Sequence, residues 1–298
     1  TIWNEMWKGK GYIFGGTFIC CLIAIVFSLS LSNTYLSEVT LVPNYEESSG
    51  AGIAGLTGQL GGIASLAGIN ISGGSSKTNY ALQVLRSRKF LSEFIDKFDL
   101  KFEITAVNGW KQQGNIYTVD SDIYDEINNK WIRDVNWPLK PEPSLNEAYL
   151  EFLRNNLLIS ENAELGIYKV GIKHFSPILA KKIVDDLVMF LNKKIKQEDM
   201  DEAQKNINYL ESELSNTTVS DMKSMFYQLI EQQYRKLMLA KVQKDYIFKV
   251  VDPAIIAEEK HGPKRALIVI LSGVIAVFFF TTLILMVRLK AFELFKIR

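Results

Sequence analysis

The residue pairs of this chain that could do chemistry are few. Asp120-Ser121-Asp122 and Asp199-Met200-Asp201 each space two carboxylates as a metal-bridged nucleotide site would need them. The second pair falls in a strongly helical stretch, and paired acids on a solvated face are the ordinary case. Gly73-Gly74-Ser75-Ser76-Lys77-Thr78 resembles a phosphate loop, but Ser76 stands where a glycine must precede the lysine, and no apolar strand leads into it. His174 and His261 are the only imidazoles and are far apart in sequence. Cys20 and Cys21 are adjacent in an apolar run, which suits neither a disulfide framework nor a spaced zinc site. Glu231 and Arg235 make an i,i+4 pair that supports a helix. These residues define no nucleophile, acid–base pair or metal site, so the chain reads as non-enzymatic, with no catalytic residue, cofactor or metal expected.

The elements that carry these residues are set by two charge-free apolar runs. The first lies between Lys10 and Glu38 and the second between Arg265 and Arg288. Each reaches the roughly 20 residues a helix needs to cross a hydrocarbon core of about 30 Å. A helix is the form such a run takes in lipid, because it satisfies its own backbone. Lys8 and Lys10 flank the first run on one side, and Arg288, Lys290, Lys296 and Arg298 follow the second. By the bias of short basic loops towards the cytoplasm, both termini are expected inside. Residues 33–264 hold 27 basic and 31 acidic residues, a net charge of −4. That balance gives no reason to expect a nucleic-acid partner. A cleaved signal peptide ending at Ser30-Leu31-Ser32 is the rival reading of the first run. The length of the run and its glycines favour an uncleaved anchor. Thr1 is not an initiator methionine, so residues upstream are expected.

The expected fold is an α+β membrane protein. Its divisions are a cytoplasmic tail over 1–10, transmembrane helices over 11–33 and 265–287, and a second tail over 288–298. Between the spans lies an external domain, 34–264, with an α/β membrane-proximal base and a long helical arm over about 177–245. Tyr35–Pro43 alternates apolar and polar residues as a strand leaving the membrane. Ser48–Ser76 is charge-free and glycine-rich, expected as a loop or short helices. Tyr80–Leu100 has helical spacing, and 107–143 is turn-rich. Ser144 with Glu147 forms a capping box for a helix through Leu157. Leu165–His174 alternates as a strand.

Pro177 suits the first turn of a helix running to about Leu214. Within it Met200, Ala203, Ile207, Leu210 and Leu214 follow 3-4 spacing, so Ala203, Ile207, Leu210 and Leu214 are a candidate seam of the arm or of an oligomer. Asn216-Thr217-Thr218 breaks this pattern, and Ser220 is expected to cap a helix from Asp221 to about Lys244. Tyr246–Val251 reads as the strand that returns the chain to its base, followed by a connector through Asp252, Pro253, Pro263, Lys264 and Arg265. Within the spans, Gly11 with Gly15 and Ser272 with Ala276 are small-xxx-small pairs suited to close packing against the other span or a neighbouring copy.

The stretch Phe226–Leu271 carries a resemblance. Met238-Leu239-Ala240, Val251-Asp252-Pro253-Ala254 and Gly262-Pro263-Lys264-Arg265 leading into the second span resemble the C-terminal region of Wzz-type polysaccharide co-polymerases, the chain-length determinants of lipopolysaccharide O-antigen. Ala203-Gln204-Lys205, Tyr209-Leu210 and the stretch from Trp137-Pro138 to Pro143-Ser144 are similar as well. One departure is Glu258-Glu259, where that family often has further proline. The resemblance, which extends to the hairpin topology of the whole chain, implies a Gram-negative inner-membrane protein with its central domain in the periplasm. It implies an octamer-like homo-oligomeric ring, and as partners the O-antigen polymerase and the undecaprenyl-linked glycan. The function implied is control of modal O-antigen length. A membrane adaptor of a kinase-coupled capsule system, a capsule export protein and an anchored glycan enzyme are the alternatives.

Overall fold

The computed structural model describes residues 10–44, 73–162 and 164–296. Helix α1 (Lys10–Ser30) leads into β1 (Tyr35–Pro43). Helices α2 (Gly73–Arg86), α3 (Arg88–Lys97) and α4 (Lys101–Thr105) follow. Two small hairpins come next, β2 (Val107–Lys111) with β3 (Ile116–Val119), and β4 (Tyr124–Asp125) with β5 (Lys130–Trp131). Then come α5 (Leu145–Glu151), β6 (Leu157–Asn162), β7 (Ile167–His174), α6 (Pro177–Asn216), α7 (Ser220–Val242), β8 (Phe248–Asp252) and α8 (Arg265–Lys296).

The main sheet has the order β6-β7-β1-β8, and every neighbouring pair is antiparallel. Its alternation places Ser37, Val39 and Leu41 of β1 and Val170 and Ile172 of β7 on the buried face. Against them lies the first half of α6, through Ile183, Leu187, Leu191 and Ile195, at helical spacing. Phe90, Phe94 and Phe98 close the core from the α3 side. Phe94 lies 4.9 Å from Phe98 and 5.9 Å from Phe190, and Phe90 lies 5.2 Å from Phe190, ring centre to ring centre. Each such pair contributes about 0.5–1.5 kcal/mol beyond its area burial.

Several local expectations change. Residues 48–72 lie outside the described residues, and Gly73–Ser76 belong to α2, which is the short-helix form of that expectation and not the loop form. The helical run Tyr80–Leu100 is broken at Ser87, whose side chain accepts from the Phe90 N–H and starts a new helix. The capping box at Ser144 and Glu147 forms in full. Its helix stops at Glu151, however, and passes through one wider turn, Phe152–Asn156, into β6 at Leu157. Ser220 is the first residue of α7, and Val219 occupies the capping position without a side-chain bond. The returning strand begins at Phe248 rather than Tyr246.

Helix α6 has 40 residues, hence a length of about 60 Å. Pro177–Ile195 is core to the base, so the projecting arm starts near Met200 and not at 177. Beyond that point Ala203 and Ile207 alone in α6 are fully buried, and they pack with Leu237 of α7. The two helices form an antiparallel pair, with Lys236 reaching Glu202 at 3.3 Å and Tyr234 reaching Glu211 at 3.4 Å.

Candidate functional site

The residues that first suggested chemistry are engaged in structure. Asp120 Oδ1 accepts from the Asp122 N–H at 3.0 Å, which makes the pair a turn. Asp199 Oδ2 is bonded by Lys77 Nζ at 2.7 Å and by the Tyr246 hydroxyl at 2.7 Å. Burial opposes its charge, but those two hydrogen bonds and the charges of Lys77 and Lys236 outweigh it and hold the carboxyl below its ordinary value. Asp201 accepts from Gln197. Lys77 sits on a helix and pairs with Asp199, so Gly73–Thr78 does not form the loop that a phosphate cradle needs. Among the described residues no group of three or more His, Cys, Asp or Glu is placed to hold a metal.

His174 is buried. Its Nδ1 accepts from the Ser176 N–H at 3.0 Å, so Nε2 carries the proton donated to the Glu103 carbonyl at 3.1 Å. Burial pushes this imidazole below its ordinary pKa, against the raising influence of those two bonds. Burial also raises the nearby Glu103 carboxyl, whose Oε2 has no hydrogen-bond partner.

The organised polar site lies where the two apolar helices meet the base. Thr34 and Gly262 form an antiparallel bridge: the Thr34 N–H donates to Gly262 O at 2.9 Å, and the His261 N–H donates to Thr34 O at 2.8 Å. Ser37 Oγ, buried, donates to Ile255 O at 2.7 Å. Arg265 Nη2 donates to Leu31 O at 3.2 Å and to Asn33 Oδ1 at 3.1 Å. The connector residues Asp252, Pro253, Pro263, Lys264 and Arg265 are therefore one side of a clasp. Asp252 pairs with Thr40 at its upper end, the Gly262–Pro263 peptide is cis, and Arg265 opens α8. Sequence reading gave Tyr35–Pro43 as a strand but did not join Leu31 to Ser37 to this connector, because the partners lie more than 200 positions away and most of the bonds run to backbone atoms.

Helices α1 and α8 run antiparallel and in contact. Ala276 is buried and Ser272 half-buried, as a packing face requires. Gly11 and Gly15 differ: among the described residues, a Cβ on either would meet nothing within 4 Å. Gly16 makes the close approach, since a Cβ there would stand only 2.4–2.6 Å from three carbons of the Phe280 ring. A Cβ on Gly273 would stand 3.3 Å from Cys21 Sγ. The outward faces are apolar, with Phe18, Val26, Ile270 and Phe278 each more than three-fifths exposed. Two such helices near the ends, joined by a folded domain, fit a membrane protein with a central domain outside the lipid.

Of the candidate seam, Ala203 and Ile207 are sealed against Leu237 of the same chain, while Leu210 and Leu214 are half-buried. The heptad closes the arm upon itself. Asn192 is a further structural residue that sequence reading missed. Its Oδ1 accepts from Ile247 N at 2.9 Å and Phe248 N at 3.0 Å, and its Nδ2 donates to Phe248 O at 3.0 Å. The available signal was a lone amide next to Leu191 on an otherwise apolar helix face.

Comparison with known proteins gives a family match over part of the chain. Residues 1–98 match the Wzz family, described as chain length determinant protein. No curated protein matches the chain. Among solved structures, a full-length bacterial polysaccharide co-polymerase is 12% identical at a TM-score of 0.38, with 97% of this chain and 96% of that chain covered. A fragment of WzzB, the polysaccharide co-polymerase from Salmonella Typhimurium, is 13% identical at 0.28, covering 77% of this chain and all of the fragment.

Proposed function

We propose that this chain is a Wzz-type regulator of polysaccharide chain length that works without catalysing a reaction. It would set the modal length of lipopolysaccharide O-antigen made by the membrane O-antigen polymerase. The observation that carries this reading is the clasp, two apolar helices locked side by side beneath a base that projects a helical arm, in a chain whose residues 1–98 match the chain length determinant family. A regulator needs anchorage and an extended surface rather than a cleft, and the buried polar groups of this base serve folding.

In this reading the termini are cytoplasmic, 34–264 lies in the periplasm of a Gram-negative cell, and copies assemble as a homo-oligomeric ring. The wall of the ring would limit how long an undecaprenyl-linked glycan stays engaged with polymerase. Because Ala203 and Ile207 are covered by α7, lateral contacts between arms would use other faces.

The test is a lipopolysaccharide ladder from a strain lacking the gene, with and without the protein restored. Collapse of an unregulated ladder into a preferred length cluster is the expected result. An unchanged ladder would reject the O-antigen assignment and favour capsule assembly or export.

A further inference from the structure

The hairpin β2–β3 is not explained by the arm or the clasp. It starts in the core, where Ala106 and Val107 are buried, and continues through Gly109, also buried, to an exposed tip. At Gly109 a Cβ would stand 3.2 Å from Ser32 Oγ and from Thr118 Cβ, so the hairpin lies close to the chain leaving α1 and a larger residue would have to push it aside by a few tenths of an ångström. Trp110 packs edge-on against Tyr35, ring centres 5.9 Å apart. One pair further along, Lys111 opposes Ile116, and the chain turns at the tip between them.

Ser32 is two residues past the end of α1. Two extended residues span at most about 7 Å. The polar layer on each side of the hydrocarbon core is roughly 5–7 Å deep. Gly109 is therefore level with the headgroups, and the start of the tip at Lys111, two residues further along, lies within about 7 Å of it.

Its composition suits that place. Ala106–Val119 contains one charge, Lys111, and no carboxylate. Ile116 is 58% exposed, which leaves a branched apolar side chain uncovered beside an exposed lysine. Trp110 Nε1 donates to Asn115 Oδ1 at 2.7 Å, fixing the indole across the tip. Tryptophan and tyrosine at the interface, with lysine reaching headgroup phosphate, are the usual anchors of a chain at a bilayer surface.

We propose that the tip of β2–β3, Lys111 to Ile116, seats in the phospholipid headgroup layer beside α1, with Ile116 at the acyl boundary. This rests on the reading of α1 and α8 as membrane spans, and it is separate from chain-length control. The seat is a third point of attachment for each copy, and it fixes the rotation of the base about the axis of the two helices.

The test uses the full chain in phosphatidylethanolamine–phosphatidylglycerol vesicles, with Cys20→Ala and Cys21→Ala removing the native thiols. A nitroxide is placed in turn at Ile116→Cys, at Ile23→Cys on the outward face of α1, and at Thr218→Cys in the turn of the arm. Collisions with oxygen and with a water-soluble nickel chelate are then measured. The expected result is high oxygen access and several-fold lower chelate access at 116 than at 218, with 23 more strongly shielded still. Chelate access at 116 equal to that at 218 would overturn the proposal. Low access to both reagents would mean burial against a neighbouring copy and would also overturn it. An aqueous signal at 23 would reject the membrane spans themselves, and the hairpin seat with them.

Discussion

Arg265, the first residue of α8, donates through Nη2 to the carbonyl of Leu31, the first residue after α1 ends. These residues are 234 positions apart in the chain, yet the contact joins the outer ends of both apolar helices. With the Thr34–Gly262 bridge above it, the contact makes the entry and exit of the folded domain a single junction. Helix packing below that junction has its own determinants, which the first prediction separates.

Gly16→Leu is expected to force α8 away from α1, because the new side chain would occupy the place of the Phe280 ring. Gly11→Ala and Gly15→Ala are expected to leave the pair intact, since among the described residues nothing lies within 4 Å of a Cβ at either position. Thermal unfolding in detergent checks this: the midpoint should fall for the variant at 16 and stay at the wild-type value for those at 11 and 15. Equal behaviour of all three would contradict the register described here.

Ile207→Asp places a carboxylate between Ala203 and Leu237, at a position with no exposure. The lost burial and the unpaired charge together cost about 3–5 kcal/mol. Amide exchange should accelerate across 200–240 while the base, with its separate core, keeps its protection. Exchange that rises equally in β1 and β7 would show that arm and base unfold as one unit.

Asn192→Leu keeps the volume but removes all three bonds to Ile247 and Phe248. The two N–H groups and one carbonyl left without that partner should lower stability by about 2–4 kcal/mol. The loss is expected to appear as faster exchange in β8 before any other strand. A variant with wild-type exchange in β8 would show that β1 alone holds this edge.

Glu103 and His174 make stability depend on pH with opposite signs. The raised carboxyl of Glu103 means that the folded state binds a proton more readily than the unfolded chain, so its charge is destabilising at neutral pH. Glu103→Gln should raise the thermal midpoint at pH 7.5, and the advantage should shrink as the pH falls towards 4.5. The lowered imidazole of His174 acts the other way: below about 6.5 the unfolded chain takes up a proton that the folded state does not, and stability falls. In Glu103→Gln the acid loss caused by His174 should therefore be steeper than in wild type. Superimposable midpoints for the two proteins from pH 7.5 to 5 would refute this account.

Elements with local signatures were legible in the sequence, and those with distant partners were not. The capping box at Ser144 and Glu147, Pro177 at the start of α6 and the alternation of β1 are each written within a few residues. Strand β6 was missed because Leu157-Leu158-Ile159 continues the apolar rhythm of α5, and Asn155-Asn156, the one turn signal in the wider turn Phe152–Asn156, was not read as the end of the helix. Of three glycines near the start of α1, spacing favoured Gly11 and Gly15. The close approach of Gly16 within the chain is decided by where Phe280 falls on another helix. The seam Ala203–Ile207 was visible as a seam, but its partner Leu237 depends on the angle at which α7 returns. The clasp is made largely of backbone and of one arginine, which composition alone would assign to the membrane edge.

The clasp also has a mechanical meaning. A peptide tether between domain and membrane lets each swing independently, whereas here both ends of the domain are bound to each other at the point where they enter the apolar helices. A sideways load on the turn after Asn216, at the far end of a rigid lever, is delivered as a torque to two shafts that can only tilt together.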